Sequence, residues 1–466
     1  MKRKSKLFLT FLMMISSFLQ AQDSLLLSKN EFLNIVKNYH PVLKRYQLQN
    51  KIAQAEITKA RGNFDPVLSA KLGEKDIDNT LYYNQKNIEL GIPTWYGIEV
   101  NGGYNYLTGE KLNENDTKGG LYNYGVTIPL AKNLWYDKRR AALDQAKLAE
   151  KMTRAEQIIL SNELLLDAEN TYWEWVKNYE VLKLQRKNVE LNKKRFEFIK
   201  KTFSYGERAA IDTVEAESQL QNFQIQEKEA YLNFVKSTQD LQWYLWQDNL
   251  EFYEIKAPIF PSEKMNSEIT NDYLFLAQKL NKDNLINSQF LKYYAFKNNI
   301  LESEKKLKWQ SFLPKIDFSY QFFNKENKNA QMLPLFDNNF QYGLKLEIPV
   351  FLRGARADYE QAKLKLLQNQ QDIKVKENEL MVKTATYQQE VENYNEQISL
   401  AEQNLNNYEK LLKAEETRFE NGESSIFLIN SRENKKIDAQ EKLINLKAKV
   451  IKSYNKLKWM SESIEQ

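Results

Sequence analysis

The chain has 466 residues, of which 42% are hydrophobic and 28% charged, and its formal net charge is +5. It contains no cysteine and a single histidine, His40, so disulfides, thiolate catalysis, Cys-ligated metals and a His-rich metal site are excluded. No stretch after residue 20 approaches the roughly 20 apolar residues that a membrane-spanning helix needs.

The N-terminus is predicted to be a secretory signal peptide over residues 1–21. The basic segment "MKRKSK" precedes the apolar run "LFLTFLMMISSFL", and "LQAQ" offers cleavage after Ala21. An uncleaved signal anchor is the alternative. Cleavage removes four cations, so the net charge of +5 falls to +1, which gives no electrostatic case for a nucleic-acid partner. The absence of cysteine also excludes a lipoprotein acyl anchor.

The first half then reads as N-terminal helices over 22–62, strands over 63–131 and a helical hairpin over 132–249. The strand assignment depends on strict alternation of apolar and polar residues. "QYGLKLEIPVFL" at 341–352 repeats the pattern in the second half. Six segments alternate in this way: 64–72, 86–92, 97–106, 121–130, 316–323 and 340–350.

These segments have the lengths and loops of outer-membrane strands. Strands of about 9–11 residues suit a tilted crossing of a bilayer. "GEKDIDN", "TGEKLNENDTKGG" and "NKENKNAQMLPLFDNN" are interpreted as long polar loops on one side, and "IPTWYG" as a short turn on the other. Trp95, Tyr96, Trp135 and Tyr136 are predicted to form an aromatic girdle at the inner ends, with ordinary core packing as the alternative.

The first half carries one hairpin more than the second. Pro66 to Pro129 is 63 residues and Pro314 to Pro349 is 35. The difference, 63 − 35 = 28, predicts an extra hairpin at about 80–107 that joins the barrel wall. An open set of strands cannot end in lipid, because its edge amides would be unpaired. The barrel is therefore expected to close with other copies of the chain.

The remaining segments predict long helices. Neither Gly nor Pro occurs between Pro129 and Gly206 or between Gly354 and Gly422. In the second run an apolar heptad steps by 4 and 3 through Tyr387, Val391, Tyr394, Ile398, Ala401, Leu405, Tyr408 and Leu412. The second half is assigned a connection over 250–283, a helix over 284–313, strands over 314–350 and a helical hairpin over 351–466.

The two halves repeat each other. "FSYGERAAIDTVEAE" around Gly206 is similar to "FENGESSIFLINSRE" around Gly422, 216 residues later. The order of elements, together with "IPL" and "IPV" before the long helices, "AENTYWEWVKN" and "YGERAAIDTVEAESQL", resembles the TolC-like outer-membrane efflux proteins over about residues 28–460.

The resemblance implies a mainly helical α+β fold in the outer membrane of a Gram-negative bacterium. It implies a homotrimer in which antiparallel β-hairpins form one shared transmembrane barrel and coiled-coil helical hairpins form a periplasmic tunnel. The implied partners are a periplasmic adaptor, an inner-membrane pump and outer-membrane lipid, and no cofactor is expected.

Two features depart from the family pattern. The family has four strands per chain, so six imply a wider barrel or a hairpin outside the wall. The acidic rings that some members carry after the second-half glycine match Leu428 and Ser431. Asp212 matches a gate aspartate, but the positions of its Tyr and Arg partners hold Phe419 and Ser424, so that polar latch is expected to be absent.

The turns at Gly206 and Gly422 are expected to form the periplasmic tip, where the adaptor docks. Ile211 and Ile426 follow these turns and are assigned to docking, with helix packing as the alternative. Asp212, Leu428, Ser431 and Phe419 are assigned to the gate, and Leu428 is expected to take part in an apolar seal.

The predicted function is a passive export duct for small molecules, not an enzyme. Glu-rich segments such as "EETRFENGE" supply carboxylates, but a solvated helix face explains them. Two alternatives remain: the outer-membrane duct of a type I protein secretion system, and a structural coiled-coil protein of the cell envelope.

Overall fold

The computed structural model describes residues 25–113, 116–254, 258–269, 288–325 and 339–465. The predicted signal peptide, most of the predicted loop at 324–339 and the second part of the predicted connection at 250–283 lie outside these residues. Within the described ranges, no helix is both long and apolar enough to cross a membrane.

The elements alternate between short helices, strands and very long helices. In chain order they are β1 (Leu25–Leu27), α1 (Lys29–Tyr39), α2 (Pro41–Arg61), β2 (Val67–Ile77), β3 (Thr80–Pro93), β4 (Glu99–Thr108), β5 (Gly119–Pro129), α3 (Lys138–Ser204), α4 (Ala210–Gln242), β6 (Ile259–Pro261), α5 (Met265–Glu268), α6 (Gln289–Trp309), β7 (Lys315–Lys325), β8 (Phe340–Glu347), α7 (Arg353–Glu420) and α8 (Ile426–Glu465). Helix–strands–long helix–helix occurs twice, as the internal repeat predicts.

The chain divides into two compact units. One contains the described residues up to 46, those of 158–288 and those from 378 onward; the other contains 47–157 and the described residues of 289–377. The first unit is built from α1, α4, α8 and the later parts of α3 and α7, with β1 and β6 paired in parallel. The second contains the large sheet.

The core of the helical unit is aromatic. Tyr172, Trp173 and Trp175, from the segment "AENTYWEWVKN", are fully buried together with Phe32 of α1. The indole Nε1 of Trp175 donates a hydrogen bond of 2.9 Å to the Thr238 hydroxyl of α4. The aromatic segment that carries the family resemblance is therefore the packing centre of this unit, where burial of large rings supplies much of the stabilisation.

The large sheet is antiparallel throughout, in the order β2-β3-β4-β5-β7-β8. The extra hairpin, β3 and β4, lies within the sheet and is paired on both sides. The strands are longer than predicted in the first half, and the interpretation of "GEKDIDN" as a long loop is wrong. β2 continues to Ile77, and Asp78 and Asn79 form a two-residue turn with φ of 54° and 59°. Two left-handed residues of this type are favoured in tight hairpins because their twist matches that of the strands.

Candidate functional site

The six strands present two chemically different faces. The register places Ile88 of β3 opposite Tyr104 of β4, and Tyr124 of β5 opposite Phe322 of β7. Because side chains alternate between faces, the whole register can be followed from these pairs. One face, here called the apolar face, carries Leu68, Ala70, Leu72, Ile88, Leu90, Ile92, Val100, Tyr104, Tyr122, Tyr124, Val126, Ile128, Ile316, Phe318, Tyr320, Phe322, Phe340, Tyr342, Leu344 and Leu346.

The apolar face is open in the single chain. Leu72 is 76% exposed, Tyr342 68% and Leu344 65%. A patch spanning all six strands exceeds what soluble monomers normally expose, so it indicates contact with lipid or protein. Alternation with an outward apolar band is the arrangement of transmembrane strands.

The opposite face, here called the polar face, carries small, amide and paired charged residues. It includes Ser69, Lys71, Asn87, Glu89, Glu99, Asn101, Gly103, Asn105, Asn123, Gly125, Thr127, Asp317, Ser319, Gln321, Gly343, Lys345 and Glu347. Lys345 lies 2.7 Å from Glu347, and Lys315 lies 3.3 Å from Asp317. Charges of both signs are thus present on this face, and several of them are paired with each other.

The four residues predicted to form the aromatic girdle differ in their exposure. Trp95, Tyr96 and Trp135 are exposed near the strand ends. Tyr136 is not: it is half-buried, and its hydroxyl lies 2.7 Å from the Ser303 hydroxyl of α6. Its role is therefore in packing between helices.

Each helical hairpin turns through a glycine-terminated motif. In the first, Gly206 donates to the carbonyl of Phe203 at 2.9 Å and Glu207 donates to that of Thr202 at 3.1 Å. Gly422 and Glu423 make the equivalent bonds to Phe419 and Arg418 at 3.0 and 2.8 Å. This is the Schellman pattern, which requires a left-handed residue. The two glycines have φ of 77° and 78°, as the sequence predicts.

The sequence-predicted docking and gate residues separate into exposed and buried groups. Ile211 is 68% exposed, Leu428 is 38% exposed and Ser431 is exposed, whereas Asp212 is half-buried. Ile426 and Phe419 are buried at 3% and 8% exposure. The last two therefore act inside the tip and not on its surface.

Ile426 and Phe419 belong to a small core that joins both hairpins, here called the tip core. Its members are Ile199, Ala216, Leu412, Phe419, Ile426 and Ile429, from α3, α4, α7 and α8. The Arg208 guanidinium lies 4.1 Å from the centre of the Phe419 ring. Phe419, at one of the positions where the resemblance leads us to expect no polar latch, therefore packs in an apolar core and makes a cation–π contact.

Beside the tip core lies a buried polar contact that the sequence analysis missed, here called the polar seam. Gln185, Asn188, Asn192 and Arg195 of α3 are largely buried and face α8. The guanidinium of Arg195 binds Glu433 through two hydrogen bonds, and Asn192 donates to the same carboxylate at 3.2 Å. Gln185 donates to Glu441, and Gln219 of α4 to Asn434 at 2.7 Å.

A signal for the polar seam exists in the sequence. Positions 185, 188, 192 and 195 step by 3, 4 and 3, which is heptad spacing occupied by polar residues. A search for apolar heptads does not detect this line of polar residues. Val189, Phe196 and Phe203 form an apolar seven-residue step in the same helix, but they lie on a neighbouring face, and Phe203 is 43% exposed.

A second charged group lies at the start of α8. Glu415 of α7 accepts a hydrogen bond of 2.5 Å from the Ser424 hydroxyl, and the guanidiniums of Arg418 and Arg432 lie 4.0 and 3.7 Å away. The Ser424 hydroxyl first, and then these two guanidiniums, hold the pKa of Glu415 below its usual range. Ser424, expected only to mark a lost latch, therefore links the turn to α7.

The described residues contain no cluster of His, Asp and Glu suited to a metal ion.

Comparison with known proteins points to one family. The model of the outer membrane efflux protein family matches residues 284–460. No curated protein sequence shows significant similarity to the chain.

Solved structures match nearly the whole length. A CusC structure is 12% identical with a TM-score of 0.70, covering 94% of this chain and 93% of that one. The CmeC channel of Campylobacter jejuni is 14% identical with a TM-score of 0.64, covering 94% and 86%. VceC of Vibrio cholerae is 13% identical with a TM-score of 0.66, covering 93% and 95%. At such identities the likeness establishes the fold. Residues 284–460 thus match the outer membrane efflux protein family, and nearly the whole chain has the fold of these solved outer-membrane channels.

Proposed function

We propose that this protein is an outer-membrane efflux duct: a passive homotrimeric channel that carries small molecules from an inner-membrane pump and periplasmic adaptor to the outside. The family match over residues 284–460 and the channel fold support an efflux role in the outer membrane. The trimeric state and the adaptor and pump partners go beyond these comparisons and are part of our proposal.

The observation that carries the proposal is the two-faced sheet. Six neighbouring strands keep one mainly apolar and one mainly polar side in register. A soluble sheet of this size would need a second layer over its apolar face. Lipid on that face and water on the other satisfy both sides at once.

The edges of the sheet support assembly with other copies. In the described part of the chain, β2 and β8 are edge strands, each paired on one side. Unpaired backbone N–H and C=O groups in hydrocarbon cost several kcal/mol each, on the order of the burial penalty of a polar group. Pairing β8 of one copy with β2 of the next removes both edges.

Exposed apolar residues at the tip support the proposal that an adaptor docks at the two glycine turns. Ile211 and Val214 follow the first turn and are 68% and 62% exposed; Phe427 follows the second and is 63% exposed. Apolar side chains in water at corresponding places of a repeat are suited to binding a partner. We assign Leu428, Ser431 and Asp212 to a gate beside this surface, with Phe419 and Ile426 supporting it from the tip core.

The proposal is tested by deleting the gene and measuring intracellular accumulation of a fluorescent pump substrate such as ethidium. Accumulation is expected to rise and to fall again on complementation. The complementing protein should fractionate with the outer membrane and migrate as a trimer in mild detergent, by light scattering. Unchanged accumulation of drugs, metals and exported proteins in the deletion strain would contradict the efflux role, and a monodisperse monomer would contradict the trimer.

A further inference from the structure

The extra hairpin is the most informative part of the sheet. β3 and β4 do not sit at an edge, from which they could be detached. β3 pairs with β2 from Val67↔Gly91 to Ile77↔Thr80, and β4 pairs with β5 from Glu99↔Thr127 to Leu107↔Gly119. Moving the hairpin out of the sheet would break both of these ladders.

The side-chain pattern of the hairpin matches that of its neighbours. Ile88, Leu90 and Ile92 continue the apolar face between Ala70 and Leu68 of β2 and the apolar positions of β4. On the other side, Glu89 and Asn101 continue the polar face and are joined by a hydrogen bond of 3.2 Å. A hairpin lying outside the wall, in water or over the mouth, would have no use for a lipid-type face in register with the rest.

Glycines on the polar face show that the sheet bends at the hairpin. A Cβ on Gly103 would lie 2.4 Å from the Ile88 carbonyl oxygen, and one on Gly125 would lie 2.7 Å from Asn101 Oδ1. Both positions are on the polar face, where the strands crowd together. Glycines at such points let a sheet curve towards its crowded side. The hairpin therefore takes part in forming a wall that is concave on its polar face.

The strand directions allow closure between copies. With six antiparallel strands, β8 runs opposite to β2. The β8 edge of one copy and the β2 edge of the next can thus pair antiparallel, like every other pair in the sheet. An odd number of strands would bring two parallel edges together instead.

We propose that three copies close into a single antiparallel barrel of eighteen strands, with residues 80–108 in its wall. The occupant of each open edge is a second copy of this chain, through β8 and β2. This inference rests on the proposed trimeric duct. It adds the diameter of the barrel and the size range of the solutes that can pass through it. With strands about 4.8 Å apart and tilted by about 40°, eighteen strands enclose a Cα diameter of about 36 Å. Twelve, as the family resemblance implies, would enclose about 24 Å.

The wider barrel changes where solutes are selected. Barrels of 16–18 strands leave an aqueous channel through their interior, and the polar face supplies charges of both signs along this one. The barrel is then no filter for small molecules, and it admits polymers that a twelve-stranded barrel excludes. Size selection falls to the tip.

The direct test is electron cryo-microscopy of the full-length protein in lipid nanodiscs, viewed along the barrel axis. The expected result is a ring of eighteen strands about 36 Å across. A ring of about 24 Å with the hairpin outside it would overturn the inference but leave the duct intact. A protein that forms no ring would overturn both.

A deletion provides the second test. Removing residues 78–108 joins β2 to the loop before β5 and should give the narrower ring. In planar bilayers, the size of polyethylene glycol that can enter the extracellular mouth should then decrease. An unchanged polymer cut-off in an assembled deletion variant would place the hairpin outside the wall. If the variant fails to assemble, the ring diameter of the unmodified protein decides.

Discussion

The guanidinium of Arg195 forms two hydrogen bonds with the carboxylate of Glu433, at 2.6 and 3.2 Å, and thereby ties α3 of the first hairpin to α8 of the second. The two side chains are 18% and 6% exposed. A paired fork of this kind is geometrically specific, but it is made of groups that water can also solvate. A polar contact thus holds the two hairpins in register. Because water can solvate both charged groups when the hairpins separate, this contact resists opening less than an apolar core would.

Replacing Glu433 with Gln should destabilise this contact by about 3 kcal/mol, because it leaves Arg195 buried without its full counter-charge. Local opening can be measured by proteolysis of the hairpins at increasing urea. Glu190→Gln is the matched control, since the Glu190–Lys194 pair on α3 is exposed and worth at most about 1 kcal/mol. The double variant Arg195→Met/Glu433→Leu should recover most of the loss, and equal effects of Glu433→Gln and Glu190→Gln would argue against a structural role for the pair.

The tip should loosen in acid. Because the Ser424 hydroxyl and the neighbouring arginines depress the pKa of Glu415 below its ordinary 4.5, ionised Glu415 stabilises the tip above that value. This stabilisation is lost as the pH falls through the lowered folded value. Ser424→Ala removes the largest of these effects, so the folded-state pKa of Glu415 should rise towards its ordinary value. The stabilisation should then be smaller and its loss should be complete at higher pH, as measured by proteolysis at the Gly422 turn. Ser204→Ala, a hydroxyl at the end of α3, serves as control; identical pH midpoints for both variants would refute the link.

Lipid contact can be tested with neighbours on one strand. Phe318 lies on the apolar face of β7 and Ser319 on the polar face. Phe318→Lys should cost about 2–4 kcal/mol in the membrane and reduce the amount of folded protein in the outer membrane, while Ser319→Lys should be tolerated. Folded trimer in the two variants is compared by heat-modifiable migration on gels. A greater loss with Ser319→Lys would mean that the faces are assigned the wrong way round.

Leu428 tests the predicted apolar seal. It is the third residue of α8 and 38% exposed, so an acidic residue there is compatible with the first turn of a helix. Leu428→Asp should raise single-channel conductance in planar bilayers, because in the proposed trimer three carboxylates near the axis would repel one another. Leu428→Asn has a similar shape without the charge and should change conductance less. Conductance equal to that of the unmodified channel, with the trimer intact, would remove Leu428 from the seal.

The glycine turns test backbone conformation alone. Nothing lies within 4 Å of a Cβ built on Gly206 or Gly422, so only their positive φ opposes substitution. Alanine at either position should cost about 1–2 kcal/mol, and asparagine less. Gly354→Ala is the control, because Gly354 is equally open, lies in α7 and has no positive φ; it should be neutral or stabilising. Thermal dissociation of the trimer gives the comparison.

Most of the fold could be predicted from periodic patterns in the sequence. Alternation along β7 and β8, the heptad through Val391 and Ile398, and the glycines at 206 and 422 each depend on a period or a φ value that one segment sets by itself. For this reason the strands, the long helices, both turns and the place of the extra hairpin could be predicted before any contact was known.

Only the tertiary structure decided which side chains meet. Ile426 and Ala210 are each the fourth residue after a turn glycine, yet Ile426 is buried in the tip core and Ala210 is exposed, because burial depends on the helices that pack nearby. The polar seam could not be predicted for the same reason. Arg195 and Glu433 are 238 residues apart, and from the sequence alone a charged residue at a heptad position is expected to be exposed to water. Local pattern determines the shape of each element, and non-local packing determines what its faces do.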